Sequence, residues 1–310
     1  MALPNVLQEL YALDSQMAEA MATRLTYGSF VCSDRGYLFV ETPKAACSTL
    51  KWILAELSGH KVTPRRAGAE TSRKMCIHLR RIHPVPSLAQ MSDSDIVAFL
   101  TSPEVVRFTV VRNPYSRVVS AFNDKIRNGE PNYRKFWSII GTHVGHSEKD
   151  YSPSFPDFVD WLHRKQSPDR CNLHWQAVSS LNYHKLIGYT HVINVEELAE
   201  GLRPVFHRIA EGRDVGDLLQ SNRVNESLPS DWRRYYNPDI AQKIFTFYKD
   251  DFHMFRYDAD SWSAPAKGAV AASEIERSAV SAIRDRNEVI ADLLDELQAA
   301  RRASRSRGGG

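Results

Sequence analysis

The chain has 310 residues, of which 43% are hydrophobic and 25% charged, proportions that exclude a disordered protein and allow a sizeable buried core. A formal charge of +3 is too small to argue for nucleic-acid binding, and no run of about 18 uncharged apolar residues offers a membrane span. Cys32, Cys47, Cys76 and Cys171 match neither a CxxC pair nor a zinc knuckle, and the N-terminus lacks a basic leader followed by a long apolar run. The expectation is a cytoplasmic protein with free thiols and no structural metal.

In chain order, Leu7, Leu10, Tyr11, Met17 and Met21 recur at helical spacing and predict one short amphipathic helix over 5–25, within an N-terminal helical extension over 1–35. Tyr37 to Val40 reads as a buried strand, followed by a Pro-containing turn and a helix over Thr49 to Leu57. Val105 to Val111 repeats this grammar with a mainly β-branched and aromatic run, as a central parallel strand covered by helices should. Two such units, separated by enough chain for a crossover, predict an α/β domain, P-loop-like in outline. Its central parallel sheet is flanked by helices in three layers, with a ligand crevice at the carboxyl ends of the strands.

The stretch 127–170 is rich in Pro, Gly, His and aromatics and reads as lid or substrate-binding structure. His143, His146, Tyr151 and Trp161 fall where acceptor contacts are expected. A third strand, His191 to Val195, leads into a helix near Glu196. A closing helix follows, with Pro238 in its first turn and Ile240, Ile244, Phe245, Phe247 and Tyr248 on its apolar face. The main domain thus runs over 36–258, with a small-residue linker over 259–273. A charged amphipathic helix over 274–302 carries the stripe Val280, Ile283, Val289, Ile290, Leu293, Leu294 and Leu297, and a basic disordered tail fills 303–310. Homodimerisation through that stripe and packing on its own domain both stay open.

Two turns carry chemistry. In TPKAACST, residues 42–49, a helix beginning in the turn exposes its first N–H groups to an anion, Lys44 adds a mobile charge, and Ser48 and Thr49 add hydroxyls. The pattern GxxxxGKS/T is absent, which argues against ATP or GTP hydrolysis. In VRNPYSRVVS, Arg112 ends the second strand and offers a bidentate contact to phosphate. Ser120 lies about two helical turns further on, and Arg117 is a third candidate. One ligand with negative charge at two positions would account for both turns.

These segments, PKAACSTLK at 43–51 and RNPYSRVVSAF at 112–122, resemble the cofactor signatures of 3'-phosphoadenosine 5'-phosphosulfate (PAPS) dependent sulfotransferases, in particular the carbohydrate-type branch, sulfotransferase family 2. NLHWQAV at 172–178, YTHVINVEEL at 189–198 and IFTFYKDDFHMFRY at 244–257 resemble later landmarks of that branch. The resemblance implies that Lys44 contacts the phosphosulfate. Pro43, Ala45, Ala46, Cys47, Ser48 and Thr49 would bind the 5' side, and Arg112 with Ser120 the 3'-phosphate. Arg223, near Asn225, Arg233 and Arg234, would belong to a late basic loop closing over the nucleotide. Ala45 and Ala46 replace the glycine or small polar residues common in the family, which a tight loop tolerates if neither backbone position needs positive φ.

The implied reaction is in-line transfer of the sulfuryl group to an acceptor hydroxyl, on a carbohydrate or glycosylated metabolite, without a metal, leaving 3'-phosphoadenosine 5'-phosphate (PAP). Lys44 would stabilise the departing oxygen. The acceptor proton needs a base, for which His78 is the first candidate, with His83, His174 and Glu41 behind it. An ATP-dependent small-molecule kinase and a non-catalytic nucleotide-binding scaffold are the alternatives.

Overall fold

The computed structural model describes residues 3–59, 77–78, 80, 83–146, 148, 151–222 and 231–264, with helical positions 283, 286–287, 290, 293–294 and 297. Cys76, Arg223, Asn225, Val280 and Val289 lie outside the described residues. In chain order the elements are α1 (Leu3–Tyr11), α2 (Ser15–Gly28), β1 (Ser29–Cys32), β2 (Tyr37–Val40), α3 (Cys47–Leu57), α4 (Asp93–Thr101), β3 (Val106–Val111) and α5 (Pro114–Ala121). There follow α6 (Lys135–Val144), α7 (Phe155–Lys165), α8 (Val178–Leu181), β4 (His191–Asn194), α9 (Leu198–Ile209), α10 (Val215–Ser221), α11 (Pro238–Phe247) and α12 (Lys249–Met254). The chain divides into two compact units, the first formed by 1–113, 168–226 and 249–257, the second by 114–167, 227–248 and 258–310.

The first unit contains the sheet, ordered β1-β2-β3-β4, with β2, β3 and β4 mutually parallel. Strand side chains alternate between faces, and here both faces are apolar. Leu38 and Val40 join a core with Leu7, Met21, Leu25, Phe99 and Leu100 of α1, α2 and α4. Tyr37 and Phe39 join the opposite core with Leu50, Ile53 and Leu54 of α3 and Val205, Phe206 and Ile209 of α9. All six residues of β3 are buried, which explains its near-continuous hydrophobic run. Val40 pairs with Thr109 and Val111 with Asn194, so β2, β3 and β4 all deliver their following loops to one edge.

Three expectations change. The sheet begins at Ser29, before residue 36, and β1 pairs antiparallel with β2, so the sheet is mostly rather than wholly parallel. The turn over 33–36, with Gly36 at φ 59°, is a hairpin connection, which only antiparallel neighbours permit. The single helix expected over 5–25 is two. Ala12 adopts φ 51°, and the Asp14 carboxylate accepts from the Met17 amide at 2.7 Å to cap α2. The closing helix likewise divides into α11 and α12. The buried Asp251 of α12 accepts the amides of Val178 and Ser179, each at 2.8 Å, holding the first turn of α8.

In the second unit, the segment read as lid or substrate-binding structure contains packed helix. Phe155, Phe158 and Trp161 of α7 are buried, and the Phe122 ring lies 5.3 Å from that of Phe155 and 5.7 Å from that of Phe158. Ser154 and Asp157 form a reciprocal capping box and Pro156 sits in the first turn, which are the start signals of a helix. In the C-terminal helix the described Ile283, Ile290, Leu293, Leu294 and Leu297 are exposed, while Asn287 is buried and donates to the Asn128 carbonyl at 2.8 Å.

Candidate active site

The turn after β2 is left-handed at two non-glycine residues, Lys44 at φ 70° and Ala46 at φ 54°. Each such residue costs about 1–2 kcal/mol, so the surroundings must hold the turn in place. This corrects the expectation that alanine would suit the loop: Ala46 occupies a conformation that glycine adopts without steric penalty. The turn closes with the Ala45 amide on the Thr42 carbonyl at 3.2 Å, and α3 then starts at Cys47 with no side-chain cap. Its first amides, with Ser48 and Thr49 beside them, form the N-terminus of an 11-residue helix, a cradle for an anion in kind.

A buried polar network underpins the turn. The Asn182 side-chain amide, fully buried, donates to Thr42 Oγ1 at 2.8 Å and Thr109 Oγ1 at 3.0 Å, while its Oδ1 accepts from Arg24 at 3.1 Å. Thr109 in turn donates to the Val40 carbonyl at 2.8 Å. Arg24 also donates to the Glu41 carbonyl and lies 3.9 Å from its carboxylate. These hydrogen bonds, made in a low-dielectric interior, hold the strained segment.

The turn after β3 meets the first one directly: Arg112 Nη1 donates to the Lys44 carbonyl at 3.0 Å. The Asn113 amide donates to Glu196 Oε1 at 3.0 Å, and the Tyr257 hydroxyl donates to Glu196 Oε2 at the same distance. Burial and the Glu196 charge together raise the Tyr257 phenol far above its ordinary value, so it stays a donor. Ser120 lies on α5, half-buried in the second unit; Arg117 of the same helix is fully buried.

Beside the cradle, His78 Nε2 stands 2.9 Å from Ser48 Oγ, and its Nδ1 stands 3.1 Å from Lys51 Nζ. Lys51 is 4% exposed and ion-paired with Glu41. Enclosure alone would raise the Glu41 carboxyl, but Lys51 and Arg24 outweigh it and hold the group below the ordinary carboxylate value. The Cys47 thiol is raised, by burial first, and Cys32, Cys47 and Cys171 are free thiols.

The other histidines are engaged differently. His83 is buried against Phe30, its Nε2 3.3 Å from the Lys51 carbonyl and its Nδ1 accepting from the Val85 amide at 3.2 Å. Burial, reinforced by Arg80, lowers its pKa to about 3, so it is a neutral structural imidazole. His174 Nδ1 lies 2.9 Å from Asn172 Oδ1. Of the residues expected at the acceptor, His143 pairs with Asp160 at 3.0 Å, Tyr151 donates to Asp157 at 2.6 Å, the His146 ring stacks on Tyr151, and Trp161 is buried. Arg233 is paired with Asp231 and lies over the Trp232 ring.

Reading of the sequence singled out Lys44, Ser48, Arg112 and His78 but missed Arg24, Thr42, Lys51, Thr109, Asn182 and Glu196. The only signal for Thr109 was a polar residue inside a mainly apolar strand, which also carries Arg107. Asn182 carried none, since it reaches its partners across 140 and 73 positions of chain. Among the described residues no group of three or more His, Cys, Asp or Glu is placed to hold a metal ion.

Comparison with known proteins places residues 27–258 in a match to the sulfotransferase family. Human carbohydrate sulfotransferase 9 is 27% identical over 240 residues, 71% of this chain and 51% of its own length. Human carbohydrate sulfotransferase 8 is 24% identical over 257 residues, covering 78% and 58%. Carbohydrate sulfotransferase 10 of Danio rerio is 27% identical over 254 residues, covering 74% and 66%. The chain thus spans little more than half the length of the two human relatives. No solved structure matches. These relatives lend no support to a cytoplasmic location, and among the described residues no helix is long and apolar enough to cross a membrane.

Proposed function

The chain belongs to the sulfotransferase family, and from that premise we propose that it transfers the sulfuryl group of PAPS to a hydroxyl of a carbohydrate or glycosylated metabolite. The observation that carries the reading is the hydrogen bond from Arg112 to the Lys44 carbonyl, which joins two anion-binding motifs, 68 residues apart, at one sheet edge and beside one helix N-terminus. A doubly anionic nucleotide suits such a pair better than a single phosphate does. The carbohydrate acceptor rests on the relatives, which are carbohydrate sulfotransferases.

In the proposed reaction the acceptor oxygen forms a bond to sulfur while the bond from sulfur to the 5'-phosphate oxygen breaks. Its electron pair stays on the phosphate of PAP, and the acceptor proton passes to a base on the acceptor side. The backbone of 45–49 with Ser48 and Thr49 holds the 5' end. Lys44 neutralises charge growing on the departing oxygen, and preorganised amides share that work. Arg112 holds the 3'-phosphate; Ser120 and Arg223 enter this assignment from the sequence motif alone. Lys44 is the side chain assigned to the departing oxygen, and His78 stands beside the cradle on Ser48. Lysine, arginine and helix-terminal amides supply neutralising charge without a call on a metal.

Calorimetric titration with PAP, in parallel with ATP, tests the reading. The expected result is magnesium-independent PAP binding that is weakened in both Arg112→Ala and Lys44→Ala, followed by acceptor labelling from radiolabelled PAPS. Preferential, magnesium-dependent ATP binding would move the protein to the kinase reading. PAP binding without transfer to any glycan in an acceptor screen would move it to the scaffold reading.

A further inference from the structure

Behind the cradle, Lys51 touches two groups whose chemistry differs. Its ammonium contacts the Glu41 carboxylate, which is ionised, and lies 3.1 Å from Nδ1 of His78. An ammonium has three donors and no lone pair, so a hydrogen bond between Lys51 and Nδ1 requires that Nδ1 be the acceptor. In neutral imidazole the single N–H then sits on the other nitrogen. That nitrogen, Nε2, is 2.9 Å from Ser48 Oγ at the start of α3.

The geometry points to the following assignment: the Glu41–Lys51 pair fixes His78 as its Nε2–H tautomer, so that His78 donates a hydrogen bond at the 5' end of the nucleotide cradle. His78 so held has no lone pair at Nε2 with which to take the acceptor proton. Its N–H instead binds the Ser48 oxygen at the start of α3. Glu41 and Lys51 are positioning residues, because they act on the cradle through the imidazole. The pair is itself held by Arg24, whose contacts to the Glu41 backbone and carboxylate join it to the Asn182 network. The proposal rests on reading the turn as a PAPS cradle, and deepens it by giving His78 a donor's role.

The tautomer is read directly by long-range nitrogen–proton NMR of the full chain labelled with 15N-histidine, with His78→Gln used to assign the signals. The expected wild-type pattern is a pyridine-like Nδ1 and a pyrrole-like Nε2 at His78. In the Glu41→Gln/Lys51→Met double variant, which removes both charges together and leaves Arg24 its contacts to the residue-41 carbonyl and Asn182, the fixed pattern should give way to averaged nitrogen shifts. A pyridine-like Nε2 in the wild type would overturn the assignment, as would an unchanged pattern in the double variant.

PAP titration supplies the second arm. The glutamine amide nitrogen can replace Nε2–H as a donor, so His78→Gln should bind PAP within about threefold of wild type, while His78→Ala loses about tenfold, one ordinary hydrogen bond. Equal losses in the two variants would sink the donor role. Absence of PAP binding by the wild type itself would instead remove the nucleotide reading on which the proposal rests, whatever tautomer NMR reports.

Discussion

The two strand-to-helix turns at the sheet edge do related work by opposite means. The turn after β2 is strained, with Lys44 and Ala46 both left-handed, and is braced from beneath by Asn182, Thr42, Thr109 and Arg24. The turn after β3 is built differently: Pro114 opens α5 with its preset φ, and the Asn113 backbone amide donates a hydrogen bond to Glu196. A backbone that wraps closely around an anion must leave the common conformations, and rigid neighbours then have to supply the difference. A site that reaches with one long cation asks only that its strand end at the right place.

The largest expected effect strikes the brace. Asn182→Leu leaves Thr42, Thr109 and Arg24 short of a partner in the interior and should lower unfolding free energy by about 2–4 kcal/mol, measured by urea titration. An unchanged midpoint would show that the strained turn holds without its network. Next, Arg112→Ala removes a guanidinium from the simpler turn and should cost about 2 kcal/mol of PAP affinity, roughly 30-fold, with little change in stability. If instead the fold weakens as much as binding, the second turn is as structural as the first.

His83 gives a pH test of the layer under the cradle. Its folded pKa, lowered to about 3 by burial first, lies below the ordinary 6.5, so the unfolded state binds a proton that the folded state refuses. Its stabilisation is complete above about pH 6.5 and is lost as pH falls toward 3, at up to about 1.4 kcal/mol per pH unit. Subtracting the urea stability of His83→Phe from that of wild type at each pH should isolate this slope; a difference that does not vary with pH refutes it. The smallest effect belongs to Ala46→Gly, where relief of a left-handed alanine competes with the flexibility of the unfolded chain. The midpoint should move by less than about 1 kcal/mol, whereas Ala46→Val should destabilise by about 1–2 kcal/mol or more.

Much of the fold was legible because its signals are local. The apolar runs at 37–40 and 106–111 mark strands buried on both faces, and Pro238 marks the start of α11. Lys44, Ser48 and Arg112 were legible as well, since each stands at a strand end or helix start where an anion would be met. The helices within 127–170 were not read, because that segment was weighed by composition, whereas the 3-residue spacing of Phe155, Phe158 and Trp161 and the capping box mark a packed helix.

What the sequence by itself determined is therefore the class of sheet, the two turns that stand out as candidate anion sites and the family to which the chain belongs, all properties of residues neighbouring one another along the chain. Only the tertiary structure decided that β1 closes one edge antiparallel, that Ala46 is left-handed, that Asn182 supports the turn from 140 positions away at Thr42, and that Lys51 faces both Glu41 and His78. The physical reason is the same in each case. A buried polar group needs a partner, and periodicity along the chain tells where a side chain points but not which distant donor or acceptor the fold will bring to meet it.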